Sequence, residues 1–120
     1  MNKEYIDIPA GRAVKVGQFI FTFGREGRIP KTGKLVSENA KTQIEQALKN
    51  LKEVLEEAGS SMDNVIKATV YLTDINDRER ALNEVWARFF PKNHPARTCV
   101  QVGLGLGSKV EIELIALASR

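Results

Sequence analysis

The chain has very few of the side chains that most often bind metals or form cross-links. It holds one cysteine, Cys99, and one histidine, His94, among 120 residues. A single cysteine excludes an intrachain disulfide, and one cysteine with one histidine cannot complete a zinc site within a chain. The lone histidine is more typical of a solvated side chain than of a Ser/His/Asp triad. The scarcity of cysteine and the lack of an apolar leader after Met1 predict a reducing, cytoplasmic location.

Long apolar runs and clusters of like charge are also missing. No apolar run approaches the roughly 18 residues of a membrane span, so no membrane association is expected. The 18 basic and 15 acidic residues are scattered and give a net charge of only +3. A nucleic-acid-binding domain usually concentrates its basic residues on one stripe, so nucleic acid is not expected as a partner. The length and the hydrophobic fraction of 42% fit one soluble domain over residues 1–120.

The first third of the chain predicts a β-hairpin and a loop. Two β-rich runs, at residues 13–16 and 19–23, flank the turn Gly17-Gln18. Residues 24–36 are rich in glycine and contain a proline, which is typical of a loop.

A helix is predicted next. Ser37 is a good N-cap, and Glu38 would then lie in the first turn. Apolar residues recur with helical spacing over residues 40–58, and Gly59 follows as the residue that ends the helix. The charged residues between them predict a solvated face.

The second half predicts a strand, a helix and two further strands. The β-branched run at residues 65–72 indicates a strand. Asp74 or Asn76 would cap a second helix that continues through Phe90, where Pro91 stops it. Strands are expected at residues 98–102 and 109–118. The glycine-rich segment between them has no helix after it and no Gly-Lys-Ser/Thr ending, so it predicts a hairpin connection rather than a phosphate loop.

The order β-β-α-β-α-β-β predicts an α+β fold, in which two helices pack on one face of a mixed β-sheet. The last strand places alternate residues on opposite faces of that sheet. One face carries Val110, Ile112, Leu114 and Ala116, and the other carries Glu111, Glu113, Ile115 and Leu117. Because the second face is also apolar toward the end of the strand, we expect another copy of the chain to cover it.

Arg97 is the strongest candidate for binding a small organic acid. It lies between Pro95, which restricts the backbone, and a predicted strand. Its guanidinium is a planar fork that matches a carboxylate with two hydrogen bonds. Spacing alone leaves a second interpretation open, a surface or intersubunit salt bridge.

Glu111 is the candidate base. A carboxylate among apolar residues of a strand is paired, solvated or catalytic, and partial burial would raise its pKa so that it could take a proton from water. Arg97 and Glu111 are expected on neighbouring strands. The alternative for Glu111 is a salt bridge.

Two further residues are weaker candidates. Cys99 lacks a basic activator, so its side chain is interpreted as a small buried hydrophobe, while its main chain could contact a ligand. Asn83 lies beside the apolar stripe of the second helix and is either solvated or directed into a site.

Several segments resemble the Rid family of reactive intermediate deaminases, also called the YjgF family. The most specific are Pro95-Ala96-Arg97-Thr98-Cys99-Val100-Gln101-Val102 and Val110-Glu111-Ile112-Glu113-Leu114-Ile115-Ala116. Upstream segments at residues 13–17, 21–24, 30–33 and 67–74 follow in the family's order, together with Asn83 and the pair Phe89-Phe90, so the resemblance covers nearly the whole chain.

The resemblance implies a chorismate-mutase-like fold and a homotrimer with clefts between subunits. It implies hydrolysis of reactive enamines and imines such as 2-aminoacrylate to a 2-keto acid and ammonia, with no cofactor and no metal. Residue by residue, it implies that Arg97 holds the substrate carboxylate, the main chain of Cys99 contacts the imine nitrogen region, and Glu111 positions or activates water. Asn83 resembles a recurrent position near the cleft. Sensing of a small carboxylate without catalysis and ribonuclease action are the alternatives.

Parts of one cleft wall differ from the family pattern. Residues 9–12 stand where active members carry a Gly-Pro-Tyr-Ser-like segment, so its tyrosine is missing. Phe23 replaces a small residue, often serine, and Arg25-Glu26-Gly27 replaces Gln-Ile-Pro. We therefore expect a substrate that is bulkier, flatter or otherwise different from 2-aminoacrylate.

Overall fold

The computed structural model describes residues 2–119, which form one mixed sheet with helices packed on it. The strands are β1 (Lys3–Ile8), β2 (Gly11–Val16), β3 (Phe19–Thr22), β4 (Arg25–Glu26), β5 (Val65–Leu72), β6 (Ala96–Gln101) and β7 (Val110–Leu117). The helices are α1 (Ala40–Glu57) and α2 (Asn83–Phe89); a 3-10 turn (Met62–Asn64) precedes β5, and a π-helical turn (Arg78–Leu82) leads into α2. The expected α+β class is confirmed.

The sheet has the order β1-β2-β3-β7-β5-β6, and the short β4 pairs with β7 beyond the end of β3. β5 and β6 are parallel, whereas the other pairs are antiparallel. The hairpin expected between the last two strands is therefore wrong, because β5 lies between β6 and β7. The connecting segment crosses the end of β5 instead: Val102 N–H donates to Leu72 O (2.9 Å), and Thr73 N–H donates to Lys109 O (3.2 Å).

β5 has the bounds predicted for it, whereas β1 and β4 were not predicted. β1 has no buried residue and only two partly buried ones, Ile6 and Ile8, so its apolar alternation is too short to mark a half-buried strand. Its pairing with β2 stabilises it through the backbone. β4 is only two residues long, too short to leave a periodic pattern.

The start of α1 differs from the prediction by two residues. Asn39 is the N-cap, because its side-chain oxygen accepts a hydrogen bond from Thr42 N–H at 3.0 Å. The side chain of the predicted cap, Ser37, instead accepts a hydrogen bond from Asn39 N–H before the helix begins. Glu38 consequently precedes the helix. The predicted C-terminal glycine is confirmed, since Gly59 follows the helix with a φ of +82°.

The second helical segment begins later than expected. Neither Asp74 nor Asn76 caps it; the Asp74 carboxylate accepts from Asn76 N–H in the turn before the helix. The N-cap position belongs to Asp77, whose side chain makes no capping bond. A π-helical turn then widens the helix immediately before Asn83.

The two helices cover one face of the sheet, as predicted. That face of β7 carries Val110, Ile112, Leu114 and Ala116, which are at most 1% exposed. The opposite face, here called the outer face, is open to solvent in the single chain. Its apolar residues include Phe19, Phe21 and Leu117, which are 46%, 42% and 36% exposed. The predicted cover by a second copy is not part of this structure and remains a prediction.

Candidate functional site

Arg97 lies on the edge strand β6, and its orientation is set by two side chains of α2. One guanidinium nitrogen, Nη2, donates a hydrogen bond to Asn83 Oδ1 at 2.9 Å. The guanidinium carbon lies 5.2 Å from the centre of the Trp86 ring, a cation–π contact. Arg97 forms no ion pair within residues 2–119. Most of its five N–H donors are therefore available to an anion.

Asn83 and Trp86 act together because they lie three residues apart on α2, a spacing that puts two side chains on one helix face. The structure thus brings the predicted Asn83 to the predicted Arg97. Trp86 is not among the site residues that the sequence predicts. It is buried and stacks on Phe90 with 4.5 Å between ring centres. The i, i+3 spacing from Asn83 is the signal that would have found it.

Cys99 follows Arg97 by two residues on the same side of β6. It is partly buried, and this burial raises the pKa of its thiol, an effect that the charge of Arg97 only partly opposes. The thiol is therefore protonated near neutral pH and is a poor nucleophile. β6 is the edge strand, so main-chain groups on its unpaired side are free to bind a ligand. The predicted main-chain contact of Cys99 is compatible with this position.

Glu111 lies on the outer face of β7, opposite Tyr71 of β5 and Glu26 of β4. Partial burial raises the pKa of its carboxyl, and the nearby charges of Glu26 and Glu113 raise it further. Tyr71 Oη donates to Glu113 Oε1 at 2.7 Å, which holds that second carboxylate in place. A carboxylate with a raised proton affinity is suited to take a proton from water.

Gly24 makes room for the Glu111 carboxylate. A Cβ at this position would overlap Glu111 Oε2. The connection between β3 and β4, which consists of Phe23 and Gly24, consequently passes directly over the carboxylate. Gly24 is not among the glycines with a positive φ, so its backbone conformation does not require glycine. Glycine is required because the close approach of Glu111 leaves no room for a side chain.

Arg97 and Glu111 do not lie on neighbouring strands, and that expectation is wrong. β5 separates their strands, which lie about 10 Å apart, and the register offsets the two residues by three further positions along β5, so they are about 14 Å apart. They also face opposite ways. Arg97 pairs in register with Ala68, which is buried under the helices, whereas Glu111 pairs with Tyr71 on the outer face. One small molecule cannot contact both side chains of the same chain.

An apolar patch lies on the same outer face as Glu111. Phe19 pairs with Leu117, and Phe21 pairs with Ile115, across β3 and β7. These four residues are named the outer-face patch. Exposed contiguous apolar surface is a common feature of interaction sites.

No helix within residues 2–119 is long and apolar enough to cross a membrane.

Comparison with known proteins relates this chain to one family over most of its length. A family model described as Endoribonuclease L-PSP matches residues 9–118. The Homo sapiens protein named 2-iminobutanoate/2-iminopropanoate deaminase is 43% identical over 110 residues, which are 91% of this chain and 80% of that protein. Reactive Intermediate Deaminase A, chloroplastic, of Arabidopsis thaliana is 43% identical over 109 residues, which are 90% of this chain but only 58% of that protein.

A solved structure supports the same relationship. The crystal structure of TdcF from E. coli with bound serine superposes with a TM-score of 0.88 and 34% sequence identity. The superposition covers 98% of this chain and all of that one, 100%.

Proposed function

Because the chain belongs to the endoribonuclease L-PSP family, also called the YjgF or Rid family, we propose that it hydrolyses reactive imines and enamines of small 2-amino acids. The products are a 2-keto acid and ammonia. The observation that carries this proposal is the Arg97 guanidinium, oriented by Asn83 and Trp86 with donors left for a carboxylate. The deaminase names of the human and plant relatives support the reaction class.

The site is completed by a second copy of the chain. Arg97 and Glu111 lie on opposite faces, so the substrate lies in a cleft where Glu111 of one subunit meets Arg97 of the partner subunit. The outer-face patch supplies apolar area for that contact. A chorismate-mutase-like homotrimer, which the family resemblance implies, closes three identical contacts of this kind.

Imines hydrolyse readily in water, so the main task of the site is to position the imine carbon and the attacking water. Arg97 binds the substrate carboxylate, which fixes the imine carbon in the cleft. Glu111 takes a proton from water, and the water oxygen bonds to that carbon. The π electrons of the C=N bond move to nitrogen, which takes the proton held by Glu111, and a carbinolamine forms. The hydroxyl of the carbinolamine then gives its proton to Glu111 and becomes the keto oxygen, while the carbon–nitrogen bond breaks and nitrogen takes that second proton and leaves as ammonia. A general base of this type contributes roughly 10²–10⁴-fold.

The proposal is tested by following the decay of an imine that an amino-acid dehydratase makes in situ. We expect wild-type protein to accelerate the decay and Arg97→Ala to abolish most of the acceleration. Arg88→Ala is the matched control, because Arg88 is an exposed arginine of α2, the helix that carries Asn83 and Trp86, and it pairs with Glu45. Decay unchanged by wild-type protein would refute the proposal.

Mixing two inactive variants tests the shared site. Arg97→Ala and Glu111→Gln are each expected to be inactive alone. If each cleft combines two chains, random mixed assemblies restore about a quarter of the clefts. A site within one chain would restore none, so full inactivity of a mixture shown to contain hybrid assemblies would overturn the arrangement.

One alternative is a carboxylate-binding protein without turnover. It is favoured by the bound serine in the TdcF structure and by the changed residue Phe23. Calorimetry with small 2-keto acids discriminates between the two, since saturable binding without imine decay would support the alternative. Ribonuclease action, which the family name keeps open, would be separated from this site if RNA cleavage survived both substitutions.

A further inference from the structure

A notch opens at the margin of the sheet, where the β1–β2 turn faces the connection between β3 and β4. Its volume is about 350 Å³, and its lining includes Asp7, Gly11, Arg12, Phe23, Gly24 and Arg25. It is large enough for a small polar group, at the lower end of ligand-site volumes. Most of its lining comes from two of the segments in which this chain departs from the family pattern, residues 9–12 and residues 23–27.

Arg12 is held across this notch by Phe23. The guanidinium carbon lies 4.2 Å from the centre of the Phe23 ring, and Phe23 N–H donates to Arg12 O at 2.9 Å. Stacking orders the planar guanidinium while leaving its edge donors open. Within residues 2–119 the Arg12 side chain forms no ion pair and no hydrogen bond, so those donors are unused.

The lining of the notch carries the positive side chains of Arg12 and Arg25 and the negative side chain of Asp7, and the Glu111 carboxylate lies against Gly24. The free donors of Arg12, rather than the net charge, make this notch suited to an anion. An acceptor bound in the notch would satisfy Arg12 donors that the described residues leave open.

The notch adjoins the proposed reaction centre through Gly24. That residue lines the notch and also lies against the Glu111 carboxylate, which leaves no space for a Cβ. The notch therefore offers space beside Phe23 and Arg12 to a substituent of a molecule bound next to Glu111.

We propose that Arg12, ordered by Phe23, selects substrates whose side chain ends in a carboxylate: 2-imino acids with a second acidic group. This inference rests on the proposed function, because it assigns the side-chain end of that same cleft. Arg97 of the partner subunit binds the first carboxylate, and Arg12 binds the second. Phe23 fills the space that a small residue would leave open.

The test compares two imines made in situ by an amino-acid oxidase, one from alanine and one from glutamate, with the remaining imine trapped by semicarbazide. We expect wild-type protein to prefer the dicarboxylic imine. Arg12→Gln is expected to raise KM for that imine about tenfold or more, the loss of one charged hydrogen bond. Its kcat, and both constants for the imine from alanine, should change little.

Lys3→Gln is the matched control, because it removes one exposed positive charge from the same β1–β2 hairpin outside the notch. A wild-type preference for the monocarboxylic imine would overturn the inference, as would equal losses on both imines in Arg12→Gln. The second result is expected if Phe23 and Arg12 only plug the notch or contact a neighbouring subunit.

If the protein turns over neither imine, the proposed function is refuted. The anionic subsite is then tested independently of turnover, by measuring ligand binding with calorimetry. The probes are 2-oxoglutarate and pyruvate. Tighter binding of 2-oxoglutarate that Arg12→Gln abolishes, with pyruvate binding unchanged, supports the anionic subsite. Equal binding of the two acids, or no binding of either, overturns it.

Discussion

At the scale of single residues, the guanidinium of Arg97 depends on an amide and an indole for its orientation. Asn83 accepts one hydrogen bond, and Trp86 lies beneath the charged group at 5.2 Å. An arginine on an edge strand would otherwise sample many rotamers, and each ordered side chain costs conformational entropy when it binds. Trp86 is therefore interpreted as a positioning residue for carboxylate binding.

Replacing Trp86 tests this role. Trp86→Leu removes the ring while keeping an apolar side chain, and we expect KM for the imine to rise roughly three- to tenfold with a smaller change in kcat. Trp86→Phe keeps an aromatic face and should retain most of the affinity. Equal KM values for the two variants, measured below their unfolding temperatures, would show that Trp86 serves packing alone.

The carboxyl of Glu111 sets a pH dependence. Activity requires the ionised form and is lost as pH falls through the pKa of Glu111, which burial, Glu26 and Glu113 raise above its ordinary value. Glu113→Gln removes one negative charge but keeps an acceptor for Tyr71. The ionised form of Glu111 then becomes more favourable, its pKa falls, and the acidic limb of the rate profile moves to lower pH.

The measurement is kcat/KM against pH with one imine, so that the substrate's own ionisation is common to all variants. Glu53→Gln, on the exposed face of α1, serves as the control and should leave the limb in place. A limb that does not move in Glu113→Gln would mean that Glu111 does not produce it.

At the scale of elements, the short connection between β3 and β4 is shaped by the carboxylate beneath it. In Gly24→Ala the added methyl would overlap the Glu111 carboxylate, and the flexible Glu111 side chain can move aside. We expect kcat/KM to fall roughly a hundredfold while the protein stays folded, since a displaced base no longer reaches its water.

Gly103→Ala is the matched control, because nothing lies within 4 Å of a Cβ at that position. Activity and unfolding temperature should both remain close to wild type. If Gly24→Ala kept full activity, Glu111 would not need the position that it occupies here.

The buried side chain of Gln43, near the start of α1, forms hydrogen bonds with the loop before β7 and with the segment before the helix. Its Oε1 accepts from Lys109 N–H at 2.8 Å, and its Nε2 donates to Ser37 O at 2.9 Å. Gln43→Ala leaves these buried groups unpaired and should lower the free energy of unfolding by about 2–4 kcal/mol. Chemical denaturation measures this, with the exposed Lys49→Ala as control; a loss below 1 kcal/mol would contradict it.

Sequence reasoning identified the elements better than their arrangement. The run at β5 and the alternation of β7 were predictable because each strand buries one full face, which leaves a periodic apolar pattern. β1 was not predictable, because it has no buried side chain and is stabilised by backbone pairing with β2. Gln43 was missed because a buried polar side chain is determined by loops distant in sequence.

The same limit applies to the candidate site. Arg97, Asn83, Cys99 and Glu111 were chosen from residue type and family resemblance, and their roles remain predictions. Their mutual placement depends on the insertion of β5 between β6 and β7, a non-local pairing that no local pattern encodes. Trp86 and Arg12 gain their significance only from contacts across elements.

At the scale of the whole molecule, the outer-face patch should determine assembly. Phe21→Glu places a charge at its centre, opposite Ile115. We expect the assembly to dissociate in sedimentation experiments and imine hydrolysis to be lost with it, although Arg97 and Glu111 are unchanged. Desolvating an unpaired carboxylate in such an interface is too costly for association to persist.

Ile29→Glu is the control, because Ile29 is similarly exposed at 37% but lies in the loop before α1. It should leave the sedimentation behaviour unchanged. An active, monomeric Phe21→Glu protein would show that one chain suffices, contrary to the shared cleft.

Because Arg97 and Glu111 point to opposite faces of the sheet, the turnover rate per chain should depend on the protein concentration in the cell. With the shared cleft proposed above, a solitary chain would carry only two unmatched halves of a site, and turnover per molecule would depend on mass action among identical chains. Below the dissociation constant of the assembly, halving the protein concentration should reduce the total rate by more than half. Expression level would then act as a threshold, with sparse chains inert and abundant chains fully active.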